Sequence, residues 1–208
     1  MTFQEPVQEI EVTAGEYRFH CLTAGEGPLA LCLHGFPDYP GSFKGLLHAL
    51  ADAGYRAVAP YQRGYHPDTL STDNRYQTIE LAQDALNLID ALGCDNAVVI
   101  GHDWGSSIAS GCAVLAPGKV RALITAAVPY GSKLGEAFLT DPEQQRRSWY
   151  MFFFQTALAE MAVSYDNMAF IRRLWQDWSP GWDFSDEQFQ GVLDTLGQPG
   201  VLAAALAY

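Results

Sequence analysis

Two hydrophobic patterns run through residues 1–129. Short alternating runs at Val7–Val12 and Tyr17–Leu22, separated by the turn-like Ala14-Gly15 pair, predict an antiparallel hairpin. Four continuous apolar runs follow, PLALCLHG, RAVAPY, NAVVIGHD and VRALITAAVP. The first two are typical of strands that are buried on both faces of a parallel sheet, and the other two also predict strands.

Segments with helical periodicity separate these strands. The first predicted helix has Ser42 as its N-cap and ends at Gly54, and the second extends from about Thr78 to Leu92 and ends at Gly93. The third predicted helix is WGSSIASGCAVLAP. Strands that alternate with helices in this way predict an α/β fold with a mainly parallel sheet.

The pattern changes after residue 129. Residues 130–208 are rich in aromatic side chains, are largely helical in periodicity and contain four of the five tryptophans. We therefore expect an α/β core at 1–129 and a helical cap or lid at 130–208. Such a lid closes over the ends of the strands, where ligands bind in these sheets. The alternative is a helical subdomain that only packs against the core.

Composition narrows the function classes. The 208 residues carry a formal charge of −12, which argues against binding to nucleic acid or to an anionic membrane surface. No apolar run reaches the roughly 18 residues of a membrane span, and no leader pattern is visible, so we expect a cytoplasmic protein. The four cysteines lie singly in apolar stretches, which predicts reduced core thiols and no metal site.

The first chemical motif is Gly101-His102-Asp103-Trp104-Gly105, at the junction of a predicted strand and a helix. This is the spacing of a nucleophile elbow, with a carboxylate at the apex. A carboxylate is ionised at neutral pH and can attack an alkyl carbon, giving an ester that water must then hydrolyse. Epoxides and alkyl halides are the matching substrates. The alternative is that Asp103 is an ordinary helix N-cap.

The second motif, His34-Gly35-Phe36-Pro37, follows an earlier strand. In elbow enzymes such a loop supplies one backbone N–H of the oxyanion hole, and the residue after the nucleophile supplies the other. These two residues are Phe36 and Trp104. We expect His34 to hold the loop through hydrogen bonds and the His102 side chain to turn into the structure.

Together the two motifs resemble the α/β-hydrolase superfamily, and within it the branch of epoxide hydrolases and haloalkane dehalogenases. Tyr61-Gln62-Arg63-Gly64-Tyr65 and WYMFFFQ, from Trp149, fit that resemblance. It implies that Tyr150 protonates or polarises the epoxide oxygen. It also implies substrate contacts from His34, Pro37, Phe154, Gln155 and Tyr208. The implied partners are a small apolar epoxide and water, with no cofactor and no metal; the oligomeric state is not readable.

The dehalogenase alternative fits less well. That branch is expected to carry a polar side chain such as Asn after the His-Gly pair, to hold the halide, and this chain has Phe36. The indole N–H of Trp104 keeps the alternative open. Epoxide hydrolysis is the leading prediction.

The resemblance also implies strand–helix units after the lid, carrying a relay acid and a histidine that activates water. The 208 residues end at Tyr208, within the apparent last lid helix. We therefore expect the C-terminal strands of the fold to be absent from this sequence and the ester to turn over slowly. A non-catalytic, ligand-binding relative is the alternative. The second cap tyrosine of the family is either Tyr208 or a residue after it.

Overall fold

The computed structural model describes residues 6–208, and in that part of the chain one six-stranded sheet forms the centre of the molecule. Its strands are β1 (Gln8–Ala14), β2 (Tyr17–Ala24), β3 (Leu29–Leu33), β4 (Arg56–Pro60), β5 (Ala97–His102) and β6 (Val120–Ala126), in the order β1-β2-β4-β3-β5-β6. The β1–β2 and β2–β4 pairs are antiparallel, whereas β4, β3, β5 and β6 run parallel. The predicted hairpin and mainly parallel sheet are confirmed.

Three helices connect the strands: α1 (Lys44–Asp52), α2 (Thr78–Ala91) and α3 (Trp104–Leu115). Gly54 and Gly93 follow α1 and α2 with φ of 82° and 77°, the left-handed conformation in which helices commonly end. The predicted Ser42 cap is wrong. Ser42 lies in a 3₁₀ turn over Pro40–Phe43, where the fixed φ of Pro40 favours a tighter turn ahead of the helix.

Burial differs between the centre and one edge of the parallel part of the sheet. All five residues of β3 are buried, as expected for a central strand covered on both faces. In contrast, among the described strands β6 pairs with β5 alone, and its Leu123 and Ile124 are 40% and 51% exposed. The sheet therefore has an accessible edge at β6.

The chain after β6 forms only helices: α4 (Lys133–Thr140), α5 (Pro142–Arg147), α6 (Trp149–Phe154), α7 (Ala159–Trp178), α8 (Asp186–Leu196) and α9 (Val201–Leu206). Helix α7 is kinked at 165–168, where three consecutive residues take a left-handed backbone. Phe36 and Tyr65, from the loops after β3 and β4, belong to the same apolar cluster as the buried residues of α7, α8 and α9. These helices thus cover the carboxyl ends of the strands. Their action as a lid stays a prediction.

Candidate active site

Asp103 occupies a strained turn between β5 and α3. Its backbone has φ of 56° and ψ of −121°, a conformation that non-glycine residues rarely adopt. Its two flanking glycines are sterically required: a Cβ on Gly101 would lie 2.0 Å from the Gly105 carbonyl oxygen, and one on Gly105 would lie 1.9 Å from that of Leu33. The spacing of the two glycines therefore corresponds to a sharp turn at Asp103, and neither Gly101 nor Gly105 has room for a side chain.

The Asp103 carboxylate does not cap α3 through its side chain. Instead, the backbone N–H of Phe36 donates to Asp103 Oδ1 over 2.9 Å. A Cβ on Gly35 would lie 2.3 Å from the same oxygen, so only glycine lets the loop approach this closely. The side-chain N-cap alternative is thus wrong, and the two sequence motifs meet at one carboxylate.

Opposing effects act on the pKa of Asp103. Burial raises it, whereas hydrogen bonds from the backbone amides of Phe36 and Trp104, together with nearby His102, favour the charged form and oppose the rise. Burial is the largest effect, and the pKa stays above its usual value. The amides stabilise negative charge at the carboxylate, as oxyanion donors would.

Both ring nitrogens of His34 are engaged in hydrogen bonds, one within its own loop and one with the loop after β4. Its Nδ1 donates to the Gly35 carbonyl over 3.0 Å, and its Nε2 accepts from the backbone N–H of Gln62 over 3.3 Å. The Gln62 side-chain amide donates to the His34 carbonyl. Burial lowers the pKa of His34 to about 4, so the ring is neutral near pH 7. Its bonds hold the Gly35-Phe36 segment in place, and no ring nitrogen is left for proton transfer.

A cavity of about 970 Å³ opens over Asp103. Pro37, His34 and Phe36 line it from the loop after β3, and Tyr150 lines it from α6. The Tyr150 ring contacts Trp178 and Phe154, with ring centroids 4.7 and 5.6 Å apart. Burial, with a smaller effect from the Asp103 charge, raises the pKa of Tyr150 to about 12. Tyr150 is therefore a neutral phenol that can donate a proton into the cavity of Asp103.

A second cavity of about 400 Å³ is mainly apolar and is lined by Trp104, Phe154, Gln155 and Tyr208. Phe36 and Tyr150 line both cavities and so form the wall between them. Phe36 meets Phe154 edge to face with centroids 5.1 Å apart. The predicted site residues thus fall into two groups, one at the carboxylate and one in an adjoining apolar chamber.

The Tyr208 hydroxyl donates to the backbone carbonyl of Arg63. Its ring stacks on Tyr76 and meets Trp104 edge to face, so only the aromatic surface faces the apolar cavity. In this structure the proton of Tyr208 is already engaged. The geometry therefore does not favour Tyr208 as the second phenol at the epoxide oxygen.

The sequence analysis did not predict that the side chains of His102 and Asp38 lie close together beside the cavity. The expectation that His102 turns into the structure is wrong: its side chain is 46% exposed and its Nδ1 lies 3.8 Å from Asp38 Oδ2. The cause is the elbow, which sends the neighbouring Asp103 inward and leaves His102 on the open side of the turn. Burial raises the pKa of Asp38 to about 6, although Ser42 donates to its carboxylate over 3.0 Å. An acidic residue directly after the His-Gly-Phe-Pro motif was the available signal.

None of the helices in residues 6–208 is both long enough and apolar enough to cross a bilayer.

Comparisons with known proteins agree with this geometry. Residues 28–189 match the model of the family described as the alpha/beta hydrolase fold. The chain is 34% identical over 152 residues to an epoxide hydrolase of Caballeronia sordidicola, covering 70% of this chain and 45% of that protein. It is 33% identical over 198 residues to mouse (Mus musculus) epoxide hydrolase 4, covering 91% and 55%.

Solved structures of epoxide hydrolases have the same fold as this chain. An inhibitor complex of a Bacillus megaterium epoxide hydrolase superposes with a TM-score of 0.85 at 26% identity, covering 96% of this chain and 70% of that one. The chain spans about half the length of the two curated relatives. The family match covers most of the chain and agrees with the sheet order and the elbow. The chain therefore belongs to the α/β-hydrolase family.

Proposed function

We propose that this chain opens epoxides by covalent attack of Asp103, and that it belongs to an enzyme that hydrolyses epoxides to vicinal diols. The observation that carries the proposal is the 2.9 Å hydrogen bond from the Phe36 amide to Asp103 Oδ1. It orients the carboxylate in a cavity that is also lined by the neutral phenol of Tyr150. Similarity to proteins named epoxide hydrolases supports the same chemistry.

In the first step, the carboxylate oxygen of Asp103 that Phe36 does not hold attacks an epoxide carbon. The ring C–O bond breaks, and the oxygen takes the proton of Tyr150. The product is a hydroxyalkyl ester on Asp103, and the Tyr150 phenolate is reprotonated by solvent. A phenol suits this step because the leaving alkoxide is a strong base, and general acid catalysis of this kind contributes about 10²–10⁴-fold.

In the second step, water attacks the ester carbonyl. The tetrahedral intermediate places its negative charge on the oxygen held by the backbone amides of Phe36 and Trp104. Its collapse releases the diol and restores the Asp103 carboxylate. This step needs a base to activate water, and His34 does not meet that need because both of its ring nitrogens are engaged. Alkylation of Asp103 is therefore the half-reaction to test first.

The adjoining apolar cavity favours a substrate with an apolar or aromatic arm. Seven of its lining residues are aromatic: Phe36, Trp104, Phe138, Tyr150, Phe152, Phe154 and Tyr208. Phe36 and Tyr150 separate this chamber from Asp103, so a substituent on the epoxide carbon would reach the chamber past these two rings. Styrene oxide has the matching shape.

The test is the intact mass of the purified chain before and after brief exposure to styrene oxide. We expect the addition of one epoxide, or release of phenylethanediol if the ester turns over, and neither in Asp103→Asn. Asp95→Asn, which removes an exposed carboxylate, is the matched control and is expected to behave like the wild type.

Thiols are the competing nucleophiles. Cys21, Cys32 and Cys112 are buried, with pKa values raised to about 12 by burial, whereas Cys94 is partly accessible. Hydroxylamine cleaves an ester but not a thioether, so loss of the added mass in hydroxylamine assigns it to a carboxylate. Neither adduct nor diol from folded protein, with epoxides or alkyl halides, would favour a ligand-binding relative. Reaction with alkyl halides alone would favour the dehalogenase alternative.

A further inference from the structure

A cluster of two histidines and an aspartate lies apart from the Asp103 cavity. His20 is on β2, and His66 and Asp68 are on the loop after β4. One ligand atom from each of the three side chains lies within 4.8 Å of the others. None of the three side chains lines either cavity of the candidate active site. The site is therefore separate from the chemistry proposed above.

We propose that His20, His66 and Asp68 bind a divalent transition metal ion of the Zn²⁺ class. Two imidazoles and a carboxylate are the donor set that such ions prefer over Mg²⁺ or Ca²⁺. The side chains are 27%, 21% and 31% exposed, so they are held by the fold yet open to an incoming ion.

Two of the three separations between ligand atoms are close to those of a metal site. His20 Nε2 lies 2.9 Å from Asp68 Oδ2, and His66 Nδ1 lies 3.8 Å from the same oxygen. In a tetrahedral zinc site with bonds of about 2.0–2.1 Å, ligand atoms are about 3.3 Å apart. The ion would replace the proton between His20 and Asp68, and the His20 and His66 rings, whose centroids lie 3.8 Å apart with planes at 30°, would rotate so that a nitrogen of each faces it. At His66 it replaces the hydrogen bond that Nδ1 accepts from the Asp68 backbone N–H.

The surrounding charges favour a cation. Glu11 lies directly opposite His20 in the β1–β2 register, and its Oε1 is 3.9 Å from His20 Nδ1. Arg18 donates to Asp68 Oδ2, but two carboxylates, those of Glu11 and Asp68, offset its single positive charge. Carboxylates that ligate metals are commonly held by a hydrogen bond of this kind. Arg18 therefore orients Asp68 while the ion binds.

There is also room for the ion to enter. A cavity of about 270 Å³ is lined by Glu11, His20 and His66, with Glu9 at its edge. Bound there, the ion joins the first hairpin to the loop after β4. That loop carries Gln62, which holds His34 and with it the segment that contacts Asp103. Metal binding would stabilise this part of the fold without taking part in the reaction.

The test is titration of the EDTA-treated, desalted 208-residue protein with ZnCl₂, by calorimetry and by thermal unfolding. We expect one equivalent to bind and the unfolding midpoint to rise with zinc concentration, since an ion that binds only the folded state stabilises it. His20→Asn and His66→Asn are each expected to weaken binding at least tenfold. His48→Asn, on α1 outside the cluster, is the matched control and is expected to bind zinc as the wild type does.

Asp68→Asn, the double variant His20→Asn/His66→Asn and His102→Asn complete the test. Asp68→Asn removes the charge of the ligand but keeps its shape, and it is expected to weaken zinc binding. It therefore tests the site even if a histidine variant misfolds. Circular dichroism in EDTA verifies that each variant folds. The proposal is overturned if the wild type binds no zinc below about 1 mM. It is also overturned if His20→Asn/His66→Asn binds zinc like the wild type, or if His102→Asn, in the other cavity, is the variant that loses binding.

Discussion

The backbone amide of Phe36 donates to Oδ1 of Asp103 over 2.9 Å, although 67 positions separate the two residues in the sequence. The contact joins the loop after β3 to the elbow after β5, which are neighbouring strands in the sheet. Because parallel strands present their carboxyl ends at one edge, the pairing of β3 with β5 brings the two motifs together.

Gly35→Ala is expected to abolish most of the ester formation at Asp103. The new Cβ would lie 2.3 Å from Asp103 Oδ1, so the loop or the carboxylate must move. Displacement of about 1 Å at a reacting group costs on the order of 100-fold in rate. The rate of adduct formation by mass spectrometry measures the effect. Gly45→Ala, where the added Cβ meets nothing within 4 Å, is the control, and an equal loss there would contradict the explanation.

Tyr150→Phe is expected to slow ester formation by about 10²–10⁴-fold, because it removes the proton donor for the epoxide oxygen and keeps the ring contacts with Trp178 and Phe154. The same mass assay measures the rate. Tyr165→Phe, at a position that is 76% exposed, is the matched control. A Tyr150→Phe rate within twofold of the wild type would remove Tyr150 from the mechanism.

The rate of ester formation is expected to fall as the pH is lowered through the pKa of Asp103. Attack requires the ionised carboxylate, and burial places its pKa above the usual value, so the fall begins at a higher pH than for an exposed aspartate. The pKa of Tyr150, raised to about 12, predicts no loss of rate on the alkaline side up to about pH 10. A pH–rate profile measures both limbs, and loss of activity between pH 8 and 10 would contradict the proposed acid.

Asp38→Asn is expected to change how stability depends on pH. The pKa of Asp38 is raised from 3.8 to about 6, so the folded state holds this proton more tightly than the unfolded chain does. The contribution of protonated Asp38 to the stability of the fold is therefore present at low pH and is lost as the pH rises through about 4 to 6. At about 1.4 kcal/mol per pH unit, the wild type should lose up to about 3 kcal/mol relative to the variant over that range.

Urea unfolding at a series of pH values measures this difference. Ser42→Ala is expected to raise the pKa of Asp38 further, because the hydrogen bond from Ser42 favours the charged form of the Asp38 carboxylate. Its removal should move the transition to higher pH. If the free energy of unfolding changed equally with pH in the wild type and in Asp38→Asn, the raised pKa of Asp38 would be contradicted.

Arg63→Ala is expected to destabilise the fold by about 3–5 kcal/mol, because it leaves the Asp84 carboxylate buried without its partner. Two guanidinium nitrogens of Arg63 each lie 2.7 Å from an Asp84 oxygen, and the side chains are only 4% and 8% exposed. Chemical denaturation measures the change. Arg146→Ala breaks an ion pair whose arginine is 79% exposed, and it should cost less than about 1 kcal/mol.

Local patterns were enough to predict the sheet and its helices. The apolar runs correspond to β3, β4, β5 and β6, and the glycines at 54 and 93 follow α1 and α2, close to where the helices were expected to end. These signals are local, since strand burial and helix termination depend on a few neighbouring residues. Ser42 was misassigned because a preceding proline turn moved the start of α1 to Lys44.

Side-chain direction could not be predicted in the same way. His102 and Asp103 are adjacent in sequence, yet the elbow turns one outward and the other toward Phe36. The hydroxyl of Tyr208 meets the Arg63 carbonyl 145 positions away, so its engagement depends on how the helices after β6 cover the sheet. His20 and Asp68 are 48 positions apart, and no spacing rule for metal ligands connects them.

Sequence patterns alone are enough to predict the order of strands and helices, the elbow at Asp103 and its partner loop at Phe36, because each follows from the composition of a short stretch. The folded chain sets which groups lie together: the amide with the carboxylate, the phenol of Tyr150 with the cavity, and the histidines of β2 and the loop after β4 with Asp68. These meetings depend on strand order and helix placement. Both are set by burial of apolar surface across the whole chain, which no short stretch encodes.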